Sequence, residues 1–221
     1  MNSNAQKRLR TIRLIIWDLD ETLYFSKRAI GVVRNAYLKE FLAFSRSSKS
    51  VNVFYQKEKS GERWFEIVAE AKGLSPKQAI LAIDPSIPRA NHIYRNEALV
   101  QFFSTSRLRH LLITNSTAFS VDAIMNRLGL SDYRQRFEHI YTIETMSKPK
   151  PNKTIIQTIA AKTKIKPEYI LAIGNSYQED LQCPHIMGMM TCLIDQKEKQ
   201  TSADITVKTL HAILAYLKKY L

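Results

Sequence analysis

The run Arg13-Leu14-Ile15-Ile16-Trp17-Asp18-Leu19-Asp20-Glu21-Thr22-Leu23 decides how the chain is read. Residues 14–17 are an apolar, β-branched-rich run of the kind that forms a strand buried on both faces. The run delivers two carboxylates, one residue apart, to the strand's end. Asp18 and Asp20 point the same way along an extended backbone, while Leu19 turns back toward the core. Burying unpaired carboxylates is costly, so two together call for a compensating charge or a shared proton. A divalent cation is the simplest compensation. Thr22 adds a hydroxyl one more step along.

Working outward, the chain changes pattern abruptly after Leu23. From about 27 to 106 no strand-like run is bounded by turns, and the segment reads as helices. One spans about 27–44, with Ile30, Val33, Tyr37, Leu38, Phe41 and Leu42 at helical spacing. A polar break at 45–50 precedes a second helix over about 51–59. A third carries Trp64, Phe65, Ile67, Val68 and Ala71 and stops at Gly73. Ser75 and Pro76 supply the N-cap and first position of a fourth. A fifth covers about 96–104.

From Leu108 strands and helices alternate. Strands are expected at 110–114, 140–141, 169–173, 191–194 and 205–207, with helices at 119–128, after Pro151 to about 162, to about 187, and at the C-terminus. This order implies an α/β fold: a doubly wound parallel sheet with helices on both faces and an inserted all-helical cap. Residues 1–24 and 107–221 form the core, and residues 25–106 form the cap. Ligands of such sheets bind beyond the carboxyl ends of the strands. The topology therefore brings together Asp18 and Asp20, Thr114 and Asn115, Lys148, and Asn175 and Asp180.

Composition bounds the function. A chain of 221 residues with 45% apolar and 24% charged residues buries a substantial core. Its two cysteines make neither a disulfide framework nor a zinc site, which points to reduced, cytoplasmic thiols. The basic N-terminal segment precedes an apolar run of only four residues, so neither a secretory signal nor a membrane span is expected. The formal charge of +13 attracts anions. Its basic residues are scattered along the chain, and nucleic acid is not the expected partner.

Four segments, in order and each at a strand end, resemble the motifs of the haloacid dehalogenase (HAD) superfamily. DLDETL, from Asp18, resembles its first motif, ITNS with Thr114 the second, KPKP with Lys148 the third, and GNSYQEDL with Asp180 the fourth. The resemblance covers nearly the whole chain and implies a Mg²⁺-dependent phosphatase acting through an aspartyl-phosphate. Asp18 is then the nucleophile, and Asp20 the general acid and base. Dehalogenating members lack the second aspartate, so Asp20 points to phosphoryl transfer. Thr114 and Asn115 bind the phosphoryl group. Lys148 neutralises charge there, with Lys150 read as a solvated loop lysine. Asp18, Asp20, Asn175 and Asp180 form the metal set.

Asn175 departs from the family, which usually carries an aspartate there. An amide oxygen ligates Mg²⁺ without a full charge, so weakened metal affinity is expected. Three readings follow: a phosphatase for a small phosphorylated metabolite, a phosphomutase, or a catalytically impaired binding protein. Lys27, Arg28 and Arg34 on the first cap helix point to a substrate with anionic charge beyond its phosphate, such as a nucleotide. The sequence is silent on oligomeric state.

Overall fold

The computed structural model describes residues 3–45, 50–195 and 202–220. Most of the polar break expected at 45–50 lies outside these residues, as does Leu221. Among the described residues the strands are β1 (Leu14–Trp17), β2 (Arg109–Ile113), β3 (Phe137–Tyr141), β4 (Ile170–Gly174), β5 (Met190–Ile194) and β6 (Ile205–Val207). They form one sheet in the order β3-β2-β1-β4-β5-β6, with every neighbouring pair parallel. The chain builds outward from β1 to one edge, then returns to β1's other side and builds to the opposite edge. The crevice at the carboxyl ends of β1 and β4 is therefore the topological switch point.

All four residues of β1 are buried, and their period-two alternation splits the core in two. Ile15 and Trp17 join one cluster with Leu112, Ile173, Val121 and Ile124. Leu14 and Ile16 join another with Leu111, Ile113, Ile156 and Ile159. The helices behind these faces are α7 (Ala118–Leu128), α8 (Lys153–Thr163) and α10 (Leu210–Tyr220). A helix that the sequence pattern does not announce, α1 (Ser3–Leu9), buries Ala5 and Leu9 in the first cluster. Arg8 on it pairs with Asp204.

Between β1 and β2 the chain is helical: α2 (Lys27–Phe44), α3 (Ser50–Lys59), α4 (Trp64–Lys72), α5 (Pro76–Ile83) and α6 (Glu97–Thr105). Short 3₁₀ turns, Asp84–Ser86 and Pro88–His92, join α5 to α6. Ser26, Ser75 and Asn96 cap their helices by accepting from backbone N–H groups one turn in. Gly73 ends α4 at φ 66°, the left-handed conformation that favours glycine.

The insertion has its own apolar cluster, built on Tyr37, Phe41, Phe54, Ile67, Val68, Ile83 and Ile87. That packing corrects the expected boundary at 106. Leu99, Phe102 and Phe103 on α6 belong to the sheet's cluster, with Trp17 ring centroids 5.9 and 6.0 Å from the two phenylalanines. Their i, i+3, i+4 spacing gives α6 one apolar face, and that face covers β1. Among the described residues, no helix is long and apolar enough to cross a membrane.

Candidate active site

Asp18 follows β1 directly, and its N–H donates to Ile173 O at 3.0 Å, fixing it at the sheet's mouth. Its carboxylate is buried. Lys150 Nζ donates to Asp18 Oδ1 at 2.5 Å and to Asp180 Oδ1 at 2.7 Å, and Thr22 Oγ1 donates to Asp18 Oδ2 at 2.7 Å. Burial raises the Asp18 carboxyl; attraction to Lys150 opposes this and repulsion from Asp180 adds to it, leaving it pushed up to about 7. Lys150 is moved further above its ordinary value, because attraction to Asp18 and Asp180 outweighs burial.

Asp180 reaches this cluster from a π-helical turn, Tyr177–Leu181, followed by α9 (Gln182–Ile186). The sequence pattern suggests one regular helix here. The departure has a local cause: Asp180 Oδ2 accepts from Ser176 N at 3.0 Å, and Ser176 Oγ accepts from Glu179 N at 3.3 Å. A Cβ on Gly174 would lie 2.4 Å from Asp180 Cβ, so glycine at the end of β4 makes room for that carboxylate.

Asp20 is held by a second network that reaches into the insertion. Ser116 and Tyr24 hydroxyls donate to its two oxygens, and Arg89 Nε lies 3.3 Å from Oδ1, an ion pair without hydrogen-bond alignment. Arg89 is buried, pairs through Nη1 with Asp84, and donates through Nη2 to Ser116 Oγ at 2.7 Å. Asp84 Oδ2 in turn accepts from Thr117 N at 2.9 Å and Thr117 Oγ1 at 2.6 Å, at the N-cap of α7. Burial raises the Asp20 carboxyl, but Arg89 and the hydrogen bonds from Ser116 and Tyr24 outweigh it and hold the group below its ordinary value.

The expected residues come together, with two corrections. Lys148 is exposed and Lys150 takes the buried position, reversing the reading of KPKP. The loop's anchors explain this. Lys150 N donates to Asn115 Oδ1 at 2.7 Å, whereas Lys148 O accepts from Asn152 Nδ2 at 2.8 Å, and Asn152 also caps α8. The loop thereby turns Lys150 inward and leaves Lys148 outside. The second correction concerns Asp20 as a metal ligand: it accepts from Ser116 and Tyr24 and pairs with Arg89, and it does not share the lysine that joins Asp18 to Asp180. Thr114 Oγ1 accepts from Ser116 N at 3.0 Å and lies 3.5 Å from Asp20 Oδ2. Asn175 Oδ1 lies 3.5 Å from Thr22 Oγ1.

Arg89, Asp84, Tyr24 and Ser116 carry no sequence signal of comparable strength. Only Ser116, inside the Thr114-Asn115-Ser116 strand end, lies in a stretch that the topology singles out.

The oxygens gathered around Lys150 and Thr22 are those of Asp18, Asp180 and the Asn175 amide, and these are the donors a metal would draw on. Among the described residues no three His, Cys, Asp or Glu side chains converge as a metal group. Two carboxylates with a neutral oxygen nonetheless suit a hard cation such as Mg²⁺, which typically binds one or two carboxylates and keeps several waters. Asp18 and Asp180 also share a single lysine, so two buried negative charges face one positive charge. The donor set fits the ion.

A family model described as haloacid dehalogenase-like hydrolase matches residues 15–194. The chain belongs to this family. A haloacid dehalogenase-like hydrolase domain-containing protein of Arabidopsis thaliana is 25% identical over 223 aligned residues, covering 95% of this chain and 80% of the relative. Among solved structures, a putative beta-phosphoglucomutase from Thermotoga maritima has a TM-score of 0.63 at 16% identity, covering 95% of this chain and 100% of that one. A 2-haloacid dehalogenase from Pseudomonas syringae pv. Tomato DC3000 has a TM-score of 0.55 at 19% identity, with coverages of 95% and 100%. At these identities the likeness is one of fold. The two neighbours are named for different chemistries, a mutase and a dehalogenase, so the fold does not choose between them.

Proposed function

We propose that the chain is a phosphohydrolase acting on a small phosphate monoester through a phosphoryl-enzyme at Asp18. The observation that carries this reading is the second carboxylate, Asp20, placed two residues after Asp18 and tied to the Thr114–Ser116 loop. Halide displacement needs no proton donor for its leaving group, whereas an alkoxide leaving group does.

In the first step an Asp18 carboxylate oxygen attacks phosphorus, the ester P–O bond breaks, and the leaving oxygen takes a proton from Asp20. In the second step water attacks phosphorus, gives a proton to Asp20, and releases inorganic phosphate and free Asp18. Lys150 offsets charge on Asp18 and on the phosphoryl group. Arg89 favours the ionised form of Asp20, which accepts the proton in the second step; for the first step Asp20 must take up a proton beforehand, which a bound phosphate dianion beside it favours by like-charge repulsion. Asp18, Asp180 and Asn175 would hold Mg²⁺, which when bound lessens the repulsion between carboxylate and phosphate dianion. The helical insertion, with its own apolar cluster, acts as a cap that keeps bulk water from the site.

Phosphate release from an aryl phosphate, with and without Mg²⁺, tests this reading. Turnover that Asp18→Asn abolishes while the protein stays folded supports it. Isomerised sugar phosphate without free phosphate would make the enzyme a mutase. Asn175→Asp is expected to increase the Mg²⁺-dependent rise in melting temperature, whatever the activity.

A further inference from the structure

Above the Asp18 cluster lies a cavity of about 400 Å³, closed on one side by the helical insertion. Eight carboxylates line it against three cations, Arg63, Arg89 and Lys150. Each of these cations is already committed. Lys150 bridges Asp18 and Asp180, Arg89 bridges Asp20 and Asp84, and Arg63 pairs with Glu66 and lies 3.8 Å from Glu179. Adding the remaining ion-pair partners of the lining residues (Arg34, Lys57 and Glu66) leaves nine carboxylates against five cations, and Lys57 is shared with a further carboxylate, Glu70. Although the chain as a whole carries +13, the space that receives the leaving group is negative.

The basic residues that pointed to a nucleotide do not supply a counter-charge. Arg34 is taken up by Glu58 and lies 4.6 Å from the centre of the Tyr55 ring; Lys27 lines a neighbouring groove, and Arg28 lines neither. The insertion's share of the wall is aromatic and acidic, formed by Tyr37, Trp64 and Phe65 with Glu58 and Glu62. Glu58 is committed, paired with Arg34 and accepting from Trp64 Nε1 at 2.8 Å. Glu62 shares its one cation, Lys57, with Glu70, at 3.2 and 2.6 Å. Tyr37 is 4% exposed, lines the cavity, and has no hydrogen-bond partner among the described residues. A hydroxyl at a cavity wall that makes no hydrogen bond within the protein is one that a ligand can satisfy.

Building on the phosphohydrolase reading, we propose that the cavity selects phosphate monoesters of amino alcohols, with the leaving group's ammonium held between the Trp64 and Tyr37 rings and the Glu62 carboxylate. A phosphate dianion with a bound divalent cation adds no net charge, so the surplus of carboxylates remains for the leaving group. Aromatic faces and carboxylates together favour an organic cation. A second anionic group on the substrate would meet these carboxylates with no free cation to offset them.

Calorimetry on the full chain with Mg²⁺ tests this with three small phosphonates that cannot be hydrolysed. The expected affinity order is 2-aminoethylphosphonate, then propylphosphonate, then phosphonoacetate, with roughly fivefold or more between the first and last. Glu62→Gln is expected to weaken 2-aminoethylphosphonate while leaving propylphosphonate unchanged. Phosphonoacetate binding as tightly as the aminated compound, no measurable binding of any of the three, or a preference that Glu62→Gln leaves intact would overturn the proposal. Aryl phosphate turnover is read separately. A protein that releases phosphate but prefers phosphonoacetate loses only the substrate class. One that prefers the aminated compound but releases no phosphate loses only the phosphohydrolase reading.

Discussion

Two buried charge networks meet at the mouth of the sheet, and they are built differently. The first, Asp18–Lys150–Asp180, joins loops that leave strands of the core alone. Each member sits just beyond a strand or just before a helix, so the parallel topology brings them together. The second, Asp20–Arg89–Asp84, joins the core to the turns that follow α5, and it ends on the α7 N-cap at Thr117. On the proposed reading the first network holds the chemistry. The second fixes the insertion to the core while gripping the other carboxylate. Removing a member of the first should therefore cost turnover, and removing a member of the second should cost stability as well.

The largest expected effect separates two lysines two residues apart. Lys150→Met should lower turnover by roughly 10²–10³, as loss of a charge-stabilising donor does elsewhere. Lys148→Met should stay within about twofold, because its side chain is exposed and its backbone carbonyl makes the loop contact. Steady-state phosphate release decides between them, and equal losses would contradict the placement of the loop.

Next comes Arg89→Met, which leaves Asp20 and Asp84 buried without their cation. Breaking a buried pair from one side costs about 3–5 kcal/mol. Denaturant unfolding should show that loss, together with reduced activity. An unchanged midpoint would mean that the insertion is not fixed to the core through this arginine.

The smallest effect lies in the packing beneath both networks. His110 on β2 accepts from Trp17 Nε1 through Nδ1 at 3.2 Å and meets Ser106 Oγ through Nε2 at 2.9 Å. Burial, with Arg136 nearby, lowers its pKa from 6.5 to about 4. The unfolded chain therefore binds a proton between these values that the folded chain does not. Stability present above pH 6.5 is lost as pH falls toward 4, by about 2 kcal/mol between pH 7 and pH 5. His110→Asn should remove that part of the pH dependence, and an unchanged slope would show that His110 is not its source.

The same contrast explains what the sequence disclosed. The continuous apolar run of β1, the other apolar strands and the capped helices are local patterns, so the sheet, the insertion and the four converging loops were legible. Lys150 was misassigned because KPKP offers two lysines, and the choice depends on which backbone group meets Asn115. Arg89 and Asp84 were invisible for a different reason: they are far from Asp20 in sequence and fall in Pro-containing turns with no periodic pattern. The α6 boundary was missed because an amphipathic helix does not reveal which core its apolar face covers.

The most direct test of the account is rapid acid quenching of the enzyme during turnover of a phosphate ester, followed by peptide mass spectrometry. The account predicts a phosphoryl group on the peptide at Asp18, absent in Asp18→Asn. Sustained phosphate release with no modified peptide, or modification at another residue, would contradict it.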